Sequence, residues 1–170
     1  MKKYYNMEFD IDGIYSKRGN ISLQVIKNIL SEDWFNLRPP KSLDKYSLDK
    51  IIKKYTKNLS INDKLATLSN LISASARKGI SFFDIVPEVW YLSGGGRLNN
   101  SIVQGFKKEF GKKIVLVDDL GLNGDSMEAQ AFAYLAVRSM RGLPFTWNNT
   151  TGVKNPTSGG LLNFVLNWEG

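Results

Sequence analysis

Two short apolar runs, Val89 to Leu92 and Ile114 to Val117, enclose a helical pattern of Ile102, Val103, Phe106 and Phe110 that closes at Gly111. Short apolar runs read as buried strands, and spacing by three and four reads as one face of a helix. A strand that returns to its sheet through a helix lies parallel to the first, with a right-handed crossover. The pattern therefore predicts an α/β fold. In open α/β sheets ligands gather where strands end and helices begin. Gly94 to Gly96 follow the first run and Asp118 to Glu128 follow the second, so both stretches fall at such ends.

The rest of the chain reads as one succession of elements without internal repeats, and 170 residues with 42 % hydrophobic content predict a single domain spanning 1–170. From Glu8 to Ile14, EFDIDGI alternates apolar and acidic residues and predicts a half-exposed strand ending at the turn-prone Asp12-Gly13. Asn20 opens an amphipathic helix with Leu23, Ile26 and Ile29 or Leu30 on one face. Pro39-Pro40 forbids continuous helix and makes a rigid connector. Ser47 is read as the cap of a helix presenting Leu48, Ile51, Ile52 and Tyr55, and Ser60 with Asp63 as a capping box for a longer one that Gly79 ends. A last helix runs from about Ser126 to Arg141 before Gly142 and Pro144, and its AQAFAYLAV face, residues 129–137, reads as core.

Composition narrows the chemistry. The chain has no Cys and no His, so disulfides, thiol catalysis and imidazole bases are excluded and any acid or base is Asp, Glu, Lys or Tyr. The net charge of +7 suits a binder of anions, but Lys is spread through nearly every segment instead of gathering in a stripe with aromatics, which argues against nucleic acid. The Lys at 107, 108, 112 and 113 read as a solvated helix end, the first pair favourable to the helix dipole. MKKYYNMEFD lacks an apolar core after its lysines and no stretch approaches membrane-spanning length, so the expectation is a cytoplasmic protein without membrane contact.

Gly94, Gly95 and Gly96 leave a strand and precede a helix capped by Asn99, Asn100 or Ser101, so main-chain N–H groups and a helix N-terminus face one space. A phosphate, a ribose or a flat base fits such a surface; a tight turn needing positive φ explains the glycines equally well. The spacing Gly94-x-Gly96-x-x-Asn99 is not the dinucleotide fingerprint, and Gly111-Lys112-Lys113 is not a Walker loop. Glu128 is the carboxylate at the start of the last helix, although Asp125 as N-cap with Glu128 three residues on would be a plain capping box. Asp118 and Asp119 offer oxygens to magnesium or a hydroxyl-rich ligand, or are simply solvated.

Taken together, WYLSGGGRLNNSIV, VDDLGLNGDSMEAQAFAYLAVRSMRGLP and TTGV resemble the C-terminal portion of anhydro-N-acetylmuramic acid kinases, and FDIDGIYSKRGNIS and RPPKSLDKYSLD look like earlier segments of that family in the same order. The resemblance covers nearly the whole chain. It implies the C-terminal lobe of an actin, hexokinase and Hsp70-like (ribonuclease H-like) fold with added helices, in which two α/β lobes close over ATP and substrate. It implies ATP-dependent phosphorylation of 1,6-anhydro-N-acetylmuramic acid at O6 while water opens the anhydro bridge, giving N-acetylmuramic acid 6-phosphate in cell-wall recycling. ATP and Mg2+ are the implied cofactors. By the same resemblance Gly94 to Gly96, with Asn99, lie along the adenosine side of the nucleotide, and Glu128 lies near the sugar and its attacking water.

The family's glycine- and Ser/Thr-rich phosphate loop, its early Asp and its general base belong to an N-terminal lobe with no counterpart in these residues. Phosphoryl transfer depends on that apparatus, so the chain by itself is expected not to turn over. The expected partners are an amino sugar, an N-terminal lobe belonging either to the same longer protein or to a separate chain, and further copies in a homo-oligomer. The alternative expectation is a noncatalytic remnant acting as a nucleotide-binding or protein-interaction module.

Overall fold

The structure, a computed structural model, describes residues 1–163. In chain order its elements are α1 (Lys2–Tyr5), α2 (Leu23–Leu30), α3 (Asp33–Asn36), α4 (Lys45–Thr56), α5 (Ile61–Ile80), β1 (Trp90–Leu92), α6 (Asn100–Phe110), β2 (Ile114–Leu116), α7 (Met127–Met140) and α8 (Asn148–Thr151). They belong to two compact units: residues 1–38 with 42–125, and residues 39–41 with the chain from Ser126 onward.

In the first unit the helices start where short polar side chains satisfy their leading N–H groups. Ser22 accepts from Val25 N at 3.3 Å to open α2, and Ser60 accepts from Asp63 N at 3.2 Å to open α5. The cap of α4 is Asp44 and not Ser47; the Asp44 carboxylate accepts from the backbone N and the hydroxyl of Ser47. Ile26, Ile29, Phe35 and Leu71 form a buried cluster between these helices, with Trp34, Ile51, Tyr55 and Leu68 packed on its margin.

Strands β1 and β2 pair in parallel, Trp90 opposite Ile114 and Leu92 opposite Leu116, and α6 connects them. The strand-helix-strand reading holds, in a sheet of two short strands. Trp90 stacks on Phe110 with centroids 4.6 Å apart, which fixes the end of α6 over β1. Helix α6 lies close against α5 at Gly105, where a Cβ would come within 2.8 Å of the buried Ser73 hydroxyl.

Glu8 to Ile14 is not a strand. The Asp10 carboxylate accepts from the N–H groups of Tyr15 and Ser16 at 2.9 Å each, and Asp12 (φ 52) and Gly13 (φ 69) turn the backbone through left-handed conformations. The expected Asp12-Gly13 turn is therefore present, but the acidic residue before it folds the chain back on itself instead of leaving it extended.

In the second unit, α7 ends before Gly142 at φ 65, as the sequence indicates. Its AQAFAYLAV face is not core: no residue of α7 is buried, and Phe132 and Met140 are 64 % and 67 % exposed. An alanine-rich face becomes core only when another element is laid on it. Among the described residues of this unit, the stretches around Phe145 and from Gly159 to Leu162 approach it and leave an open groove, with Ser139 Oγ donating to Gly159 O. No helix among the described residues is long and apolar enough to cross a membrane.

Candidate functional site

The glycine loop starts directly after β1. Gly94 stands at φ 69, its N–H donates to Gly124 O at 3.2 Å, and its own carbonyl accepts from Arg97 N. A short 3-10 turn, Gly95–Leu98, then delivers the chain to Asn99. The Asn99 side-chain oxygen accepts from Ser101 N and Ile102 N at 3.0 and 3.3 Å, so it is the cap of α6, and its Nδ2 donates to Asp10 O at 3.2 Å.

Gly94 needs its glycine for backbone conformation. Gly95 and Gly96 do not, since neither has positive φ. Packing within the described residues does not require them either: a Cβ at Gly95 would meet nothing within 4 Å, and one at Gly96 would only touch Ile102 at 3.9 Å. Both line a cleft of about 530 Å³ whose other walls are Phe9, Asp10, Ile11, Asp12, Leu98, Asn99 and Ile102. That volume suits a small organic ligand, and mixed apolar and polar walls are what such ligands select.

Arg97, which no local motif marks, is the most constrained charge here. Its side chain is 4 % exposed; Nε and Nη2 donate to the two Asp118 oxygens at 2.5 and 3.1 Å, and Nη1 donates to Asp125 Oδ1 at 2.7 Å and to Gly94 O at 3.1 Å. The only sequence signal was an Arg directly after the glycines with acids 21 and 28 residues downstream, separations too long to read as a pair. Asp118 is half-exposed, and both of its carboxylate oxygens accept from Arg97. Hydrogen bonds from Arg97 hold the Asp118 and Asp125 carboxyls below the usual carboxylate range, and the same two acids raise the Arg97 guanidinium further.

Because both carboxyls titrate lower in the folded chain than in the unfolded one, their contribution is fully present above the ordinary carboxylate pKa and fades as pH falls through the lowered values. The expected result is a thermal midpoint that falls on acidification below about pH 4. Asp118→Asn should flatten that fall, and equal pH profiles for the two proteins would refute the assignment.

Glu128 lies in the second unit, exposed in the first turn of α7. The capping-box explanation for it does not hold: Ser126 is the N-cap, and Asp125 directs its carboxylate to Arg97. Asp119 is exposed beside Asp118. Magnesium finds no ligand set among the described residues, where no group of three or more carboxylates gathers. Of the acids at the cleft, Asp10 accepts backbone N–H bonds and Asp12 pairs with Lys17 at 3.2 Å.

The family model described as anhydro-N-acetylmuramic acid kinase matches residues 1–164. The chain belongs to the anhydro-N-acetylmuramic acid kinase family. It is 39 % identical over 151 residues to anhydro-N-acetylmuramic acid kinase 1 of Jannaschia sp. (strain CCS1), covering 89 % of this chain and 40 % of that protein. To the anhydro-N-acetylmuramic acid kinase of Rhodospirillum rubrum it is 36 % identical over 162 residues, 94 % of this chain and 42 % of the relative. The kinase of Roseobacter denitrificans is 35 % identical over 158 residues, again with 42 % of its length matched. The chain therefore spans about two fifths of the length of these kinases. Within this anhydro-N-acetylmuramic acid kinase segment, the glycine loop, its arginine clamp and the start of α7 all follow the C-terminal ends of the two parallel strands in sequence.

Proposed function

We propose that this chain is the second-lobe portion, of actin and hexokinase kind, of a kinase that phosphorylates 1,6-anhydro-N-acetylmuramic acid at O6 with ATP. One observation carries the nucleotide part: Gly95 and Gly96 omit side chains that neither backbone conformation nor packing among the described residues forbids, and they do so on the wall of a cleft. An adenine nucleoside laid on main chain requires that omission. Phe9, Ile11, Leu98 and Ile102 supply apolar contact for its flat and sugar parts, while Asp10 and Asp12 stand at the polar margin.

ATP supplies the phosphoryl group, and water adds to the carbon released when the anhydro bridge opens. The chain's own contribution is to hold the adenosine side of the nucleotide at Gly94 to Gly96 and Asn99 and to present Glu128, exposed at the start of α7, to the sugar and its water. The γ-phosphate contacts and the general base are assigned to the N-terminal lobe, so these residues alone bind but do not turn over. Magnesium enters with the nucleotide phosphates, in keeping with the lack of a carboxylate set among the described residues.

Calorimetric titration of the 170-residue chain with ADP and with ATP tests the proposal. Saturable one-site binding of both is expected, with affinity little changed by EDTA. No heat and no protection with either nucleotide at millimolar concentration would sink it. The bare face of α7, with Phe132, Tyr134, Val137 and Met140 exposed, favours a protein-interaction module as the second reading.

A further inference from the structure

The Arg97 guanidinium is buried and closes four hydrogen bonds on three different stretches of chain: Asp118 after β2, Asp125 before α7, and the carbonyl of Gly94 in the glycine loop. The backbone reinforces the same junction, because Gly94 N donates to Gly124 O. Gly124 is itself fitted to the arginine: a Cβ there would come within 2.2 Å of Arg97 Nε and 2.5 Å of its Cζ. A glycine loop has no side chains with which to stiffen itself and loses more conformational freedom on ordering than any other sequence. A partner that orders it before the ligand arrives removes that loss from the binding step.

We propose that Arg97 is a positioning residue that holds the glycine loop in its ligand-ready conformation, with Asp118 and Asp125 as its anchors and Gly124 as the gap through which it passes. The inference rests on the nucleotide reading of the cleft for its effect on affinity, while its exchange readout needs no ligand. Arg97 touches no nucleotide atom in this scheme; it acts through Gly94. A lysine cannot replace it, because one ammonium does not span both oxygens of Asp118, Asp125 and the Gly94 carbonyl in a fixed plane.

Hydrogen exchange read by mass spectrometry on the full chain, without ligand, decides the matter for Arg97→Lys and Gly124→Ala. In both, amides between Gly94 and Asn99 should exchange roughly tenfold faster, the loss expected of one charge-assisted hydrogen bond, while α5 and α6 keep their protection. The Kd for ADP should rise by a similar factor in both. Should Arg97→Lys fail to fold, Asp118→Asn gives the same comparison, since its side chain is half-exposed and leaves the local shape intact. Unchanged exchange in all the folded variants overturns the clamp, and so does faster exchange with unaltered ADP affinity. If the unsubstituted chain takes up no ADP, it is the nucleotide reading that falls, and the exchange rates alone then confirm or overturn the clamp.

Discussion

Valine at position 95 or 96 will leave the chain folded and shut the cleft to nucleotide. Neither position has positive φ, and neither Cβ would meet a described neighbour closer than 3.9 Å, so the side chain projects into open cleft space. Replacing glycine where the backbone already suits other residues stabilises a fold by about 0.4–1 kcal/mol through the unfolded chain. Binding moves the other way. Making a ligand share its seat with an added side chain costs about 1–3 kcal/mol, so ADP affinity should drop roughly 10- to 100-fold. Calorimetry and a thermal melt on the same samples give both readouts, and a Gly95→Val or Gly96→Val chain that binds ADP as the parent does would remove the cleft from the argument.

Gly19→Ala is expected to do the most damage to the fold. Gly19 is extended, so conformation does not demand glycine there. Space does: a Cβ would be driven to 2.0 Å from the carbonyl oxygen of Asn62 and 2.6 Å from Asp63 N, atoms of the first turn of α5 that cannot rotate away. Moving that turn would also break the bond from Asn20 N to Asp63 Oδ1, at 2.6 Å, by which the incoming chain is tied to the cap of α5. The expected loss is about 3–4 kcal/mol, at the upper end of what overpacking costs, measured by urea denaturation. A loss under about 1 kcal/mol would mean that the approach of residue 19 to α5 is looser than described.

The elements that announced themselves in sequence were those governed by near neighbours. Ser60 caps α5 by accepting from Asp63 N three residues on, although the Asp63 carboxylate accepts from the Ser60 hydroxyl and Asn20 N instead of closing a capping box, and the apolar runs at 89–92 and 114–117 with Gly111 between them form a parallel pair. What escaped were features closed over distance. EFDIDGI has strand periodicity, but the Asp10 carboxylate turns to Tyr15 and Ser16, a competition that alternation cannot show. Asp125 fitted the local grammar of a helix cap, yet a buried guanidinium 28 residues earlier holds it. The alanine face of α7 has the composition of core, and whether such a face is covered depends on what lies against it.

The fit between Arg97 and Gly124 has a consequence for how such a chain can change over generations. A larger residue at 124 displaces the guanidinium unless 97 has shortened, and once 97 has shortened, Asp118 and Asp125 are left with like charges and no counter-ion between them. The four positions are therefore bound to drift as a set, each accepting novelty only in a background where the others have already yielded.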